Sequence, residues 1–139
     1  MDWDIIYITR KSITIALERG RLTNVIVVDG NGTSSGVGET VGIITCASNK
    51  KVYIKSIVAQ AQVGAAVSGT AQVYMVPNGA SPIASGATSN QIFNVAMNSG
   101  ETVLLEPSYP ITLTTTGDAI WVGAAHTNVN VMLSGDKEA

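Results

Sequence analysis

Between Lys55 and Lys137 the sequence has no lysine or arginine, a stretch of more than half of its 139 residues. Nucleic-acid binding normally needs a basic face that neutralises phosphates and releases counterions. Only three small basic groupings exist: Arg10-Lys11, Arg19 with Arg21, and Lys50-Lys51 with Lys55. Each reads as a solvated turn or strand end, so no nucleic-acid partner is expected. Charge of either sign is scarce, at 13% of residues and net −2, about half of the ~25% found in ordinary domains.

Cys46 is the one cysteine, which excludes an intrachain disulfide framework. In the run Ile43-Ile44-Thr45-Cys46 it reads as a small buried hydrophobe. His126 is the one histidine, which excludes metal sites built on two or three imidazoles. A Ser-His-Asp relay would have to use Asp118 or Asp136, and no nucleophile elbow leads into a helix. His126 reads instead as a turn or interface residue at the end of a strand.

Asp29-x-Asn31-x-Thr33 begins like a calcium loop, but Ser34 stands where glycine is needed and Thr40 where the bidentate glutamate belongs. The glycine-rich run around it lacks the lysine of a phosphate-binding loop. No cofactor, no metal and no catalysis are expected, because no set of titratable groups converges. No apolar run approaches the ~20 residues that span a bilayer. Met1-Asp2-Trp3-Asp4 has neither the basic nor the apolar region of a signal peptide. The expectation is a protein that needs neither membrane nor an oxidising compartment.

What the sequence does have is Ala, Val, Thr, Ser, Gly and Asn in a period-two rhythm, the pattern of β-strands. The best helical candidate, residues 12–22, alternates at Ile13, Ile15 and Leu17, so strand is preferred there too. Strands are expected over 5–9, 12–17 and 22–28, with Arg10-Lys11 and Glu18-Arg19-Gly20-Arg21 as turns. The glycine-, serine- and asparagine-rich run 29–38 reads as a linker. Further strands are expected over 41–46, 51–59, 70–76, 91–96, 102–105, 111–115, 119–125 and 129–133, with 80–90 as an excursion loop.

In the second of these, Val52, Ile54 and Val58 oppose Tyr53 and Lys55; in the third, Val73 and Met75 oppose Gln72 and Tyr74. Short strands between Gly and Asn turns indicate an all-β fold, an antiparallel β-sandwich of jelly-roll or Ig-like type with a β-rich N-terminal arm. The division expected is an arm, hairpin and linker over 1–39 and a sandwich domain over 40–139. Gly100-Glu101 and Gly117-Asp118 each set a flexible residue before a carboxylate at a strand start, where the acid can accept backbone N–H bonds and close the corner.

Long uncharged strands suit burial against other subunits, which points to an assembly protein. Three segments in order carry a resemblance of the same kind. They are Val73-Tyr74-Met75-Val76-Pro77-Asn78-Gly79-Ala80-Ser81-Pro82, the run Val95-Ala96-Met97-Asn98-Ser99-Gly100-Glu101-Thr102-Val103-Leu104-Leu105, and Leu113-Thr114-Thr115-Thr116-Gly117-Asp118-Ala119-Ile120-Trp121-Val122, closed by Val129-Asn130-Val131-Met132-Leu133-Ser134-Gly135. From about Val41 to Gly135 the chain resembles small β-sandwich virion structural proteins of tailed bacteriophages.

That resemblance implies a virion protein, made in the host bacterial cytoplasm, whose work is binding. The role it implies first is a capsid decoration or cement protein that binds the major capsid protein or other virion proteins and stabilises the head. It also implies self-association, with a trimer preferred. The alternatives are a tail, baseplate or fibre accessory protein, or a carbohydrate-binding host-recognition module that displays Trp121 or tyrosines at one loop end.

Residues 1–38 fall outside the resemblance, and residues 1–28 are expected to anchor the protein, with Trp3 as an aromatic anchor. Trp121, one face away from Ile120 and Val122, is expected in core or subunit packing. The partner-binding set is thus Trp3, Ile5, Tyr7, Arg10, Lys11 and Trp121.

Overall fold

The computed structural model describes residues 17–30, 40–63, 69–80 and 90–138. The described elements are all β-strands: β1 (Leu17–Arg21), β2 (Ile26–Val28), β3 (Thr40–Thr45), β4 (Val52–Ala61), β5 (Gly69–Val76), β6 (Gln91–Met97), β7 (Thr102–Leu105), β8 (Ile111–Leu113), β9 (Ala119–Ala125) and β10 (Val129–Glu138). The expected strand over 5–9 and, apart from Leu17, that over 12–17 lie outside the described residues, as do most of the 29–38 run and of the 80–90 loop.

The pairing follows one rule. β1 and β2 pair with β10, β3 with β9, β4 with β7 and β8, and β5 with β6, all antiparallel. The chain is therefore one long hairpin whose first half lies against its second. Folding that ribbon over itself brings β10 beside β4 and β9 beside β5. The result is a first sheet in the order β1/β2, β10, β4, β7/β8 and a second sheet in the order β3, β9, β5, β6. With β1/β2 and β7/β8 each counted as one interrupted strand, this is an eight-stranded jelly roll, an all-β antiparallel sandwich.

Alternation decides which residues fill it. β4 buries Val52, Ile54, Ile57, Ala59 and Ala61, and β10 buries Val129, Val131 and Leu133. The second sheet answers with Ala71 and Val73 from β5 and with Ile120, Val122 and Ala124 from β9, all in one core cluster. Each fully buried Val, Ile or Leu contributes about 1.5–3 kcal/mol relative to exposure.

Two glycines are required by geometry. Gly135 sits where β10 crosses a bulge in β4, and a Cβ there would collide with the Tyr53 carbonyl oxygen. Gly117 has φ +90°, and a Cβ on it would meet the Asn78 side chain at 2.5 Å.

The acidic corners form as expected. Asn98 N–H donates to Glu101 Oε2 at 2.7 Å. Asn78 N–H donates to Asp118 Oδ1 at 3.1 Å, tying the end of β5 to the turn before β9.

The structure departs from the expected pattern in three places. Residues 18–21, read as a turn, lie in strand β1, whose five residues pair in register with Glu138 to Ser134. Strand β10 runs past the expected end at Leu133 to Glu138, with Gly135 admitting the close crossing of β4. The boundary expected at residue 39 is crossed by the pairing itself: β1 and β2 are part of the first sheet, and Val28 is 0% exposed in the common core. Leu22 N–H bonds to Leu133 O at 2.9 Å, and Leu133 N–H to Thr23 Oγ1 at 3.1 Å, which fixes the bend between the two strands.

A candidate assembly surface

The outer face of the first sheet is set by the bulge in β4. Ser134 pairs with Ser56 and Gly135 with Ile54, which leaves Lys55 as the extra residue. An extra residue inverts the alternation beyond it. Ile57 therefore points into the core and Val58 outward, the reverse of the side expected for Val58 from the sequence.

Cross-strand partners share a face, so an apolar row follows from the register. Val58 pairs with Leu104 of β7 on one side and Met132 of β10 on the other. Val25, just before β2, lines the same shallow groove of about 140 Å³ as Val58 and Met132, together with Gln60 and Asn130. Val27 stands opposite Asn130 in the next row. Leu104, Val25 and Val27 are 55%, 57% and 52% exposed. The same row carries no charge; Gln62 Nε2 bonds to Asn130 Oδ1 at 2.9 Å at its border.

Along the same face the chemistry changes by steps. The Ser56–Ser134 pair comes next, followed by Tyr53 opposite Asp136. Lys55 Nζ lies 2.8 Å from Asp136 Oδ2, and Arg19 Nε lies 3.9 Å from Asp136 Oδ1. The Asp136 side chain is only 10% exposed whereas both cations are largely in water. An apolar centre bordered by amides, hydroxyls and an ion-paired end has the layout of a protein-binding patch.

Trp121 lies on the opposite sheet. It stands between Gly42 of β3 and Tyr74 of β5, with its indole packed over Gly42, where a Cβ would approach Cε2 to 3.1 Å. Tyr74 OH donates to Gln72 Oε1 at 3.2 Å and accepts from Gln91 Nε2 at 3.3 Å. Trp121 is half-buried in mid-sheet, while Ile120 and Val122 face the core. It does not meet the apolar row of the first sheet. Trp3, Ile5, Tyr7, Arg10 and Lys11 lie outside the described residues.

The titratable groups are dispersed. His126 is exposed in the turn from β9 to β10 at φ +67°. Asp118 and Asp136, the two acids a relay would need, are engaged by Asn78 N–H and by Lys55. Burial pushes the Cys46 thiol up from its ordinary value, and the carboxylates of Asp118 and Glu138 add to the shift. Its Sγ donates to Lys50 O at 2.9 Å. Among the described residues no group of three or more His, Cys, Asp or Glu could hold a metal ion. No described helix is long and apolar enough to cross a membrane.

No family model matches the chain, and no curated protein matches it. Among solved structures it is similar to a chain of the T13 IBDV viral particle, at TM-score 0.46 and 10% identity over 88% of this chain. It is also similar to a chain of the virus-like particle of extra small virus from the giant freshwater prawn Macrobrachium rosenbergii, at TM-score 0.42 and 17% identity over 91% of this chain. A third is a chain from the infectious bursal disease virus Gt strain, at TM-score 0.40 and 10% identity over 90%. The chain spans 30% of the first of these, 82% of the second and 31% of the third.

Proposed function

We propose that this chain is a non-enzymatic structural protein of a bacteriophage virion that attaches to its neighbours through the outer face of the first sheet. The observation that carries this reading is the uncharged row Leu104–Val58–Met132 with Val25 and Val27 beside it. Its partners on that face are the other copies of a trimer, and the trimer acts as a decoration or cement subunit on the major capsid protein. The phage setting is supported by the segments around Val73–Pro82, Val95–Leu105 and Leu113–Val122. Each ~100 Å² of apolar surface buried on docking contributes about 2.5 kcal/mol gross, before the cost of association.

The test is self-association of the full chain carrying Val58→Lys or Leu104→Lys. Both positions point outward, so the fold tolerates the change. The wild type is expected to sediment as a trimer, and each variant as a monomer with an unchanged melting temperature. Variants that associate as the wild type does would remove the first sheet from the interface.

A tail or baseplate accessory role uses the same surface and differs only in partner. A glycan-binding role would rest on Trp121, Tyr74, Gln72 and Gln91 of the second sheet, where an aromatic face lies beside amide groups. Binding of an oligosaccharide that Trp121→Ala abolishes would favour that second reading.

A further inference from the structure

The β7/β8 edge of the first sheet breaks at one point. Leu105 pairs with Ile57 and Ile111 with Ile54, so the five residues 106–110 stand against only Lys55 and Ser56 of β4. The surplus has to leave the sheet, and its sequence, Glu106-Pro107-Ser108-Tyr109-Pro110, keeps it out. Each proline lacks an N–H for a neighbouring strand and fixes its own φ, so the loop is stiff before it meets a partner. Thr112 Oγ1 donates to Pro110 O at 3.3 Å and fastens the far end. Within this loop Tyr109 is 85% exposed, the one exposed aromatic among the described residues. An aromatic ring held in water on a stiff loop has a large area to bury on contact and little entropy to lose.

The other side of the same sheet has a receiving site. The shallow groove of about 140 Å³ is walled by Val25, Val58 and Met132, with the amides of Gln60 and Asn130 beside them. A phenol ring needs that combination, apolar walls for the ring and a polar partner for its hydroxyl. The chain's own Tyr109 does not fill the groove, since it stands in water. The charges next to the two halves are complementary. Glu106, exposed, opens the loop. Arg21, also exposed, pairs with Ser134, two residues along β10 from Met132 and on the same face. Neither charge takes part in an ion pair among the described residues. Within one chain their strands are three spacings apart in the sheet, about 14 Å, so each needs a second copy to meet the other.

We infer that Tyr109 of one copy seats in the Val25/Val58/Met132 groove of the next copy, with Glu106 set against that copy's Arg21. The contact joins the β7/β8 edge of one sheet to the β2/β10 side of another. It is therefore heterologous, the type that closes into a ring when the rotation allows. It rests on the first-sheet trimer proposed above and supplies the residues that hold that trimer together.

The test is sedimentation of the full chain. Tyr109→Ala is expected to weaken self-association by ~30-fold or more, the loss that marks an aromatic anchor, and Tyr109→Phe to keep most of it. Glu106→Arg and Arg21→Glu should each weaken association, and the two together should restore it. Tyr109→Ala keeps its groove and Val58→Lys keeps its tyrosine, so a mixture of the two should form a species of two chains that neither forms alone. Unchanged association of Tyr109→Ala, with Val58→Lys dissociated, would overturn the inference and leave the first-sheet interface standing. Unchanged association of both would overturn that interface and the inference with it, as would a wild type that sediments as a monomer.

Discussion

Replacing Val28 by alanine separates an integral strand from a detachable arm. Val28 lies in β2, is 0% exposed, and pairs with Val129, itself fully buried. The substitution removes two buried methyl groups, a transfer loss of about 1.6 kcal/mol at ~0.8 per carbon. The cavity left behind brings the total to about 2–3 kcal/mol. Val27, one residue earlier on the same strand, points out of the sheet and is 52% exposed, so Val27→Ala should change stability by no more than about 0.5 kcal/mol. Urea unfolding followed by circular dichroism reads both at the same chain concentration. With a slope of about 2 kcal/mol per molar for a domain of this size, Val28→Ala should lower the midpoint by about 1 M and Val27→Ala should leave it nearly in place. Equal effects from the two, or none from Val28→Ala, would refute the placement of β2 in the sandwich.

The other expectations concern single contacts. The raised Cys46 thiol contributes stability that is complete below its ordinary value of 9.0 and is lost as pH rises through the higher folded value. Relative to Cys46→Ala, the wild type should therefore lose stability above about pH 9 in alkaline melts, and Cys46 should react with a thiol reagent only on unfolding. Gly135→Ala places a methyl group against the Tyr53 carbonyl and should cost about 3 kcal/mol or more in urea unfolding. Lys55→Met strips Asp136 of its 2.8 Å partner and leaves only Arg19 at 3.9 Å. It should cost about 1–3 kcal/mol, part of which Asp136→Asn restores in a double-mutant cycle.

Much of the fold was legible because alternation is a local property. Val73 and Met75 face the core and Gln72 and Tyr74 face out, as the period-two pattern of that segment requires. Glu101 and Asp118 cap their corners for the reason that made them recognisable, a carboxylate one residue after a flexible glycine. The candidate surface was hidden by one residue. Lys55 continues a perfect alternation in the sequence, yet it is the bulge, and it turns Val58 from the core to the outer face. Nothing in the run from Val52 to Ala61 marks it, because the bulge answers Asp136 and Gly135 some eighty residues away.

Gly135 lay beyond the strand expected over 129–133, and it marks the close crossing of two strands. β1 escaped notice because Glu18-Arg19-Gly20-Arg21 has no apolar alternation and owes its strand form to pairing with β10.

The measurement that bears most directly on a virion role is the number of copies in purified particles, by quantitative mass spectrometry against the major capsid protein. The decoration role predicts hundreds of copies per particle, in fixed ratio to the capsid protein. A handful, in multiples of three or six, would move the chain to the tail or baseplate. Its absence from the particle would contradict the virion role itself.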